Sequence, residues 1–248
     1  MTVRDVLIVS PHLDDAVLSC FALLTAEAPA DVVSVFAGRP DPPRVAWSER
    51  VMGFPDSDAT MAARHAENER ALAGLARTAE ALDLLDEDYI DGPRPAASMA
   101  PVAAYVVEWL AAHPGGRVAA PAGAGRVAGR VRARIERLVG PRGGVTPHPD
   151  HVAVRDAVLA LLADGALREL TLYEELPYLW SGDTRRTAER LAARAGRRVT
   201  AWEQPVDRSA KAQRIALYAS QLEHLAIDGR RLEDPSVLPP IERYFSLA

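Results

Sequence analysis

A short apolar run followed by a longer stretch of helical period recurs along this chain, and that alternation leaves few folds open. Residues 6–10 (VLIVS) read as a buried strand and 16–28 as the helix after it. Residues 32–37 (VVSVFA) read as a second strand, and a Pro-rich loop runs from 38 to about 57. A helix over 60–79 and a strand at 82–86 (LDLLD) come next, then a helix at 102–112 and a strand at 117–122. Strands at 170–176 and 199–204 complete the pattern, with helices at about 151–164, 184–195 and 208–225. Strands alternating with helices predict βαβ units. The expectation is an α/β, Rossmann-like fold with a largely parallel sheet flanked by helices. With 248 residues and neither an internal repeat nor a clear linker, one domain over 1–248 is expected.

The bulk properties exclude several functions. The net charge of −5 argues against a nucleic-acid backbone as partner. The single cysteine, Cys20, rules out an internal disulfide. The N-terminal stretch lacks the long apolar region of a signal peptide, and no apolar run reaches the length of a membrane span. A soluble cytoplasmic protein is therefore expected, while the oligomeric state is not legible.

Two motifs carry chemistry. Pro11-His12-Leu13-Asp14-Asp15 follows the first strand and opens the first helix. In an open parallel sheet, ligands bind beyond the carboxyl ends of the strands, and this motif belongs at that edge. His148-Pro149-Asp150-His151 likewise precedes a helix. A catalytic zinc site keeps three protein ligands and one open position, and His with carboxylate suits it. One His and one Asp from the first loop, with one His from the second, would make such a site. A further carboxylate could take a proton from the activated water, and a further His could protonate a leaving amine. Each aspartate also has a plainer reading. Asp14 or Asp15 would cap the helix beginning at Ala16, and Asp150 the one beginning near His151. His65, His113 and His224 lie in helical or exposed patterns with no carboxylate cluster and read as surface residues.

In these two motifs and their order, the chain resembles the PIG-L/LmbE-like zinc-dependent de-N-acetylases. Further segments share the resemblance: RHAENERALAGL at 64–75, PAGAG, LYEELPY, KAQRIALYASQ and the C-terminal ERYF. The resemblance implies a Rossmann-like fold and removal of an N-acetyl or other N-acyl group from a small-molecule amino sugar or related natural-product intermediate. It implies His12, Asp15 and His151 as ligands of Zn2+, with Fe2+ or another divalent metal as alternatives. It makes Asp14 the general base, and His148 the oxyanion stabiliser or general acid. Asp150 would orient a histidine, while Arg64 and Ser19 would approach the substrate. The chain departs from the family at Leu13, where Pro is usual, at Ala16, often Glu, and at Glu175, frequently Asp.

The largest departure is an insertion at about 126–146. It reads as an amphipathic helix, with Val127, Val131 and Ile135 at helical spacing and Arg126, Arg130, Arg132, Arg134 and Arg137 largely elsewhere. Its arginines are either a solvated face or a basic lid favouring an anionic substrate group. The glycines at 123, 125 and 129 miss the spacing of a dinucleotide fingerprint and read as a strand-to-helix loop. Trp47, Phe54 and Tyr178 lie in predicted loops where an aromatic ring can stack on a sugar. Two other functions share the donor set. One is a non-haem iron oxygenase, whose two-His-one-carboxylate triad normally sits on an all-β scaffold. The other is a non-catalytic metal- or sugar-binding relative.

Overall fold

The computed structural model describes residues 5–27, 30–124, 147–226 and 229–248. The whole of the predicted insertion at 126–146, with its arginines, lies outside them. Seven strands form one sheet in the order β3-β2-β1-β4-β5-β7-β6. They are β1 (Val6–Ser10), β2 (Ala30–Ser34), β3 (Thr78–Ala81), β4 (Arg117–Pro121), β5 (Leu170–Tyr173), β6 (Val199–Pro205) and β7 (Ile241–Leu247). The first five are mutually parallel, and β7 runs antiparallel to both β5 and β6. The helices described are α1 (Asp15–Ser19), α2 (Phe21–Leu24), α3 (Trp47–Met52), α4 (Ser57–Leu72), α5 (Ala100–Ala112), α6 (Pro149–Ala163), α7 (Thr184–Arg194), α8 (Arg208–Ile215) and α9 (Leu222–Leu225). None is long and apolar enough to cross a membrane.

All five residues of β1 are buried because helices cover both faces of the sheet. Leu7 and Val9 pack with Val33, Val118 and Leu172 against α5, α6 and α7, where Val154, Val158 and Leu162 recur at i, i+4 and i+8. Val6 and Ile8 face the opposite layer, with Leu18, Phe21, Ala212 and Ile215. From β1 the chain steps outward through β2 to β3, then returns to place β4 on the other side of β1. That reversal opens a crevice at the carboxyl ends of β1 and β4.

Several predicted elements move, each for a tertiary reason. The expected strand at 82–86 is instead β3 at Thr78–Ala81, whose four residues are all exposed and so carry no apolar signal. Leu82 and Leu84 still pack on the core, but the segment turns away with only an antiparallel bridge between Phe36 and Asp83. It approaches so closely that a Cβ at Gly38 would lie 2.9 Å from the Asp83 backbone. The predicted helix at 60–79 begins at Ser57, where Asp56 accepts the Ala59 N–H, and stops at Leu72 ahead of Gly74 at φ +73°. The predicted helix at 208–225 is interrupted, because the buried Tyr218 donates to Asn68 Oδ1 at 3.0 Å and is anchored there. The helix expected at 16–28 breaks at Cys20 into α1 and α2, and the Glu242 carboxylate accepts the Phe21 and Ala22 N–H groups at the break. Strand β7 is not among the predicted elements, because IERYFSL lacks the regular apolar alternation that marks a strand.

Asp31, near the amino end of β2, is a buried charge. It accepts hydrogen bonds from Arg77 Nε at 2.9 Å, Thr78 Oγ1 at 2.8 Å and Trp109 Nε1 at 2.7 Å. Burial works against its ionisation, but these donors outweigh it and hold the carboxyl at about 2. Because the folded pKa is depressed, the stabilisation is present above pH ~4 and is lost as pH falls towards ~2. We expect Asp31→Asn to cost about 1–2 kcal/mol at neutral pH, allowing for solvent around the partly exposed Arg77. Urea denaturation from pH 6 down to 2.5 should show that gap closing in acid. A gap independent of pH would refute this account of Asp31.

Candidate metal centre

The carboxyl ends of β1, β4 and β5 and the extension of β3 meet at the crevice. The loop after β1 is set by Ser10, whose hydroxyl donates to the His12 carbonyl at 2.6 Å and accepts the Ala16 N–H at 3.0 Å. Ser10 therefore caps α1, and Asp14, at the N-cap position, makes no capping bond. Asp15 turns back and accepts the His12 N–H at 2.9 Å. At α6 the N-cap is His148, whose Nδ1 accepts the Asp150 N–H at 3.3 Å. Capping thus explains none of the three aspartates.

Three donor atoms converge. His12 Nδ1 lies 3.2 Å from Asp15 Oδ2 and 3.3 Å from His151 Nε2, and His151 Nε2 lies 3.4 Å from Asp15 Oδ2. A tetrahedral ion with bonds of about 2.0–2.1 Å has ligand–ligand edges of about 3.3–3.4 Å, so this triangle fits one face of such an ion. The far nitrogen of each ring is engaged by a carboxylate. His12 Nε2 is 3.3 Å from both Asp150 Oδ2 and Asp86 Oδ2, and His151 Nδ1 is 2.7 Å from Glu175 Oε1. With protons on those outer nitrogens, three lone pairs face one point, an arrangement that a cation resolves. The residues present fit a divalent metal. His148 adds a third imidazole to the group, its ring 5.0 Å from His12 and 4.9 Å from His151.

The surrounding charges are tightly managed. Arg94 Nη2 donates to Asp150 Oδ1 at 2.6 Å and to the Leu85 carbonyl at 2.7 Å, and its guanidinium sits 4.1 Å above the Phe36 ring. Burial opposes ionisation of Asp150, but the His12 hydrogen bond, the His12 charge and Arg94 hold it at about 2. Burial and the Asp15 charge push the Asp14 carboxyl up, while Arg64, with Nη2 at 3.9 Å, pulls the other way. Burial and the neighbouring His151 and His12 push His148 well below the usual imidazole range. For His12, burial disfavours the charge, but Asp86, Asp15 and Asp150 outweigh it and push the ring upward. Glu87 is lifted to about 7 by burial and by Asp150 and Asp86, and its Oε1 lies 3.6 Å from His148 Nε2.

The predicted residues His12, Asp14, Asp15, Arg64 and His148 all line one cavity of about 240 Å³, together with Trp47 and Tyr178. His151 and Asp150 stand behind its wall, buried at 1% exposure each. Ser19 does not approach this space. It is buried and accepts the Leu176 N–H at 3.1 Å, so it positions the loop that carries Tyr178 rather than a substrate. Trp47 begins the short helix α3 inside the predicted Pro-rich loop. His65 and His113 are half-buried rather than surface residues. His65 Nε2 donates to the Ala37 carbonyl at 2.9 Å, and His113 stacks on Trp109 at 4.4 Å. Asp86, Glu87, Arg94 and Glu175 were not singled out for the site, although Glu175 stood out as a departure from the family. A larger apolar groove of about 740 Å³ runs between α5 and α6. The Arg94–Asp150 pair separates it from the donor atoms, and the smaller cavity is the one with His12, Asp14 and Asp15 on its walls.

The sequence profile of the GlcNAc-PI de-N-acetylase (PIG-L) family matches residues 7–162, more than half of the chain. The chain belongs to this family. No curated protein sequence matches it. Its fold is similar to that of the zinc-inhibited form of teicoplanin deacetylase Orf2, at 22% identity and TM-score 0.70, covering 99% of this chain and 98% of that one. A pseudoaglycone deacetylase, Dbv21, matches at 24% identity and TM-score 0.70, covering 100% and 98%. The N,N'-diacetylchitobiose deacetylase of Pyrococcus horikoshii matches at 14% identity and TM-score 0.52, covering 88% and 70%. A PIG-L family chain on a mostly parallel α/β sheet does not favour the oxygenase alternative or the non-catalytic one.

Proposed function

We propose that this PIG-L family chain is a zinc-dependent deacetylase that removes an N-acetyl or other N-acyl group from an amino sugar, free or carried by a larger natural product. The observation that carries the reading is the donor triangle of His12, Asp15 and His151, with edges of 3.2–3.4 Å, beside a carboxylate and an imidazole that it leaves free. When bound there, zinc, or ferrous iron on the same donors, supplies Lewis acidity and lowers the pKa of a coordinated water. Asp14, free of capping duty, takes the proton of the attacking water. His148, on the same cavity wall and neutral, donates its ring N–H to the developing oxyanion. Its Nδ1 accepts the Asp150 N–H, so the hydrogen-bond donor it turns to the oxyanion is Nε2–H. Asp150 keeps His12 turned, held itself by Arg94. Arg64, on the cavity wall with Nη2 3.9 Å from Asp14 Oδ1 and Nη1 3.8 Å from Asp86 Oδ2, is the cation available to the substrate.

At about 240 Å³ the cavity is smaller than the roughly 300–1,000 Å³ of most ligand pockets, so it suits one ring-sized group. Trp47, 53% exposed at the cavity wall, is placed to meet whatever the amino sugar is attached to. The deacetylases of the teicoplanin pathway cover this chain almost end to end, which supports a glycosylated natural product as the carrier. The test is mass spectrometry of zinc-loaded protein with simple N-acetylated amino sugars and with glycopeptide-linked ones. The expected result is loss of one acyl group, faster on the linked substrates. No release from any amide in the panel would overturn the reading.

A further inference from the structure

Glu175 joins two parts of the site through its two oxygens. It is buried at 2% exposure, just past the carboxyl end of β5. Oε1 lies 2.7 Å from His151 Nδ1. Oε2 accepts the Gly123 N–H at 2.7 Å and the Ala124 N–H at 3.4 Å, at the turn leaving β4. That turn favours glycine, since Gly123 has φ +59°. Arg155 Nη1 donates to the Ala122 and Gly123 carbonyls at 3.3 Å and holds the same turn from its other side.

An ionised carboxylate only accepts hydrogen bonds, so the His151 nitrogen beside it must carry the ring proton. The lone pair is then on Nε2, which faces His12 Nδ1 at 3.3 Å and Asp15 Oδ2 at 3.4 Å. The Tyr178 ring packs edge-on against the imidazole at 5.2 Å. Resting on the reading of His151 as a metal ligand, we propose that Glu175 is a positioning residue that locks His151 in its Nδ1–H form and ties the ring to the end of β4. A glutamine cannot do both tasks. Its single amide oxygen can serve the His151 N–H or the Gly123 N–H, and its NH2 group then meets the other donor. Conflict is relieved when the ring proton moves to Nε2, which removes the ligand lone pair.

The experiment compares the parent, Glu175→Gln and His151→Ala, each stripped of metal and titrated with zinc against a chromophoric chelator. Imidazole 15N NMR of the metal-free proteins reads the tautomer in parallel. Glu175→Gln should weaken zinc binding by about 10- to 100-fold and lower the His151 Nδ1–H population, and His151→Ala should weaken binding further. Glu175→Asp keeps the charge and should recover most of the affinity, with the Nδ1–H form retained. It also decides the matter by the same two readouts if the glutamine variant does not fold. Parent-like zinc affinity in Glu175→Gln, with loss in His151→Ala, overturns the role of Glu175 alone. Parent-like affinity in His151→Ala overturns the ligand assignment on which it rests.

Discussion

Asp14→Asn is expected to lower turnover by roughly 100- to 10,000-fold while the protein keeps its metal, because it removes general-base catalysis and no ligand. Asparagine has the size of aspartate, and Asp14 makes no capping bond whose loss would disturb α1. Its carboxylate sits on the cavity wall beside Asp15, with Arg64 Nη2 3.9 Å away as its nearest cation. His151→Ala should behave differently, losing both zinc and turnover, since its Nε2 is one corner of the donor triangle. Metal content by mass spectrometry, with saturating-substrate turnover on the same samples, separates the two outcomes. Full turnover in Asp14→Asn would remove it as the base, and metal loss in that variant would make it a ligand.

The largest stability effect is expected at a buried ion pair that touches no reacting group. Lys211, the only lysine in the chain, is buried at 1% exposure and donates from Nζ to Glu242 Oε1 at 2.6 Å. Glu242 also accepts the Phe21 and Ala22 N–H groups and the Tyr244 hydroxyl. This network closes the break at Cys20 that separates α1 from α2, directly behind the loop carrying the aspartates. Lys211→Met strands a buried anion, which costs about 3–5 kcal/mol. For a chain of this size that lowers Tm by roughly 6–20 °C. Adding Glu242→Gln should recover part of the loss, because a neutral amide needs no counter-charge and still accepts from the backbone. Calorimetry of both variants checks this, and a Lys211→Met protein that melts with the parent would contradict it.

The residues on the two site motifs were legible because their chemistry is local. His12 and Asp15 are three apart on one turn, and His148 and His151 are three apart across a helix start, so strand-end position and residue type suffice to nominate them. The partners that orient them are not local. Glu175 reaches His151 from 24 positions away, Arg94 reaches Asp150 from 56, and Asp150 accepts the Glu87 N–H from 63. Asp86 and Glu87 lie past the exposed edge strand β3, where the LDLLD pattern announces a packed segment but nothing local ties its carboxylates to the site. Ser19 failed in the opposite sense. Its motif position suggested the substrate, but a side chain buried beneath the Leu176–Tyr178 loop has a backbone N–H to satisfy.

Strand and helix periodicity, read from residues alone, established the α/β class, the parallel character of the sheet and the placing of two His/Asp motifs at strand ends. Each depends on a repeat of two or about 3.6 residues, or on a pair within one turn, and such regularities survive in a linear string. Spacing left the choice between Asp14 and Asp15 open and the family resemblance made it, whereas which nitrogen of each histidine turns inward came only with the folded chain. The inward nitrogens are set by hydrogen bonds between segments that the sheet order brings together, and a proton's place on an imidazole follows the partner it meets there.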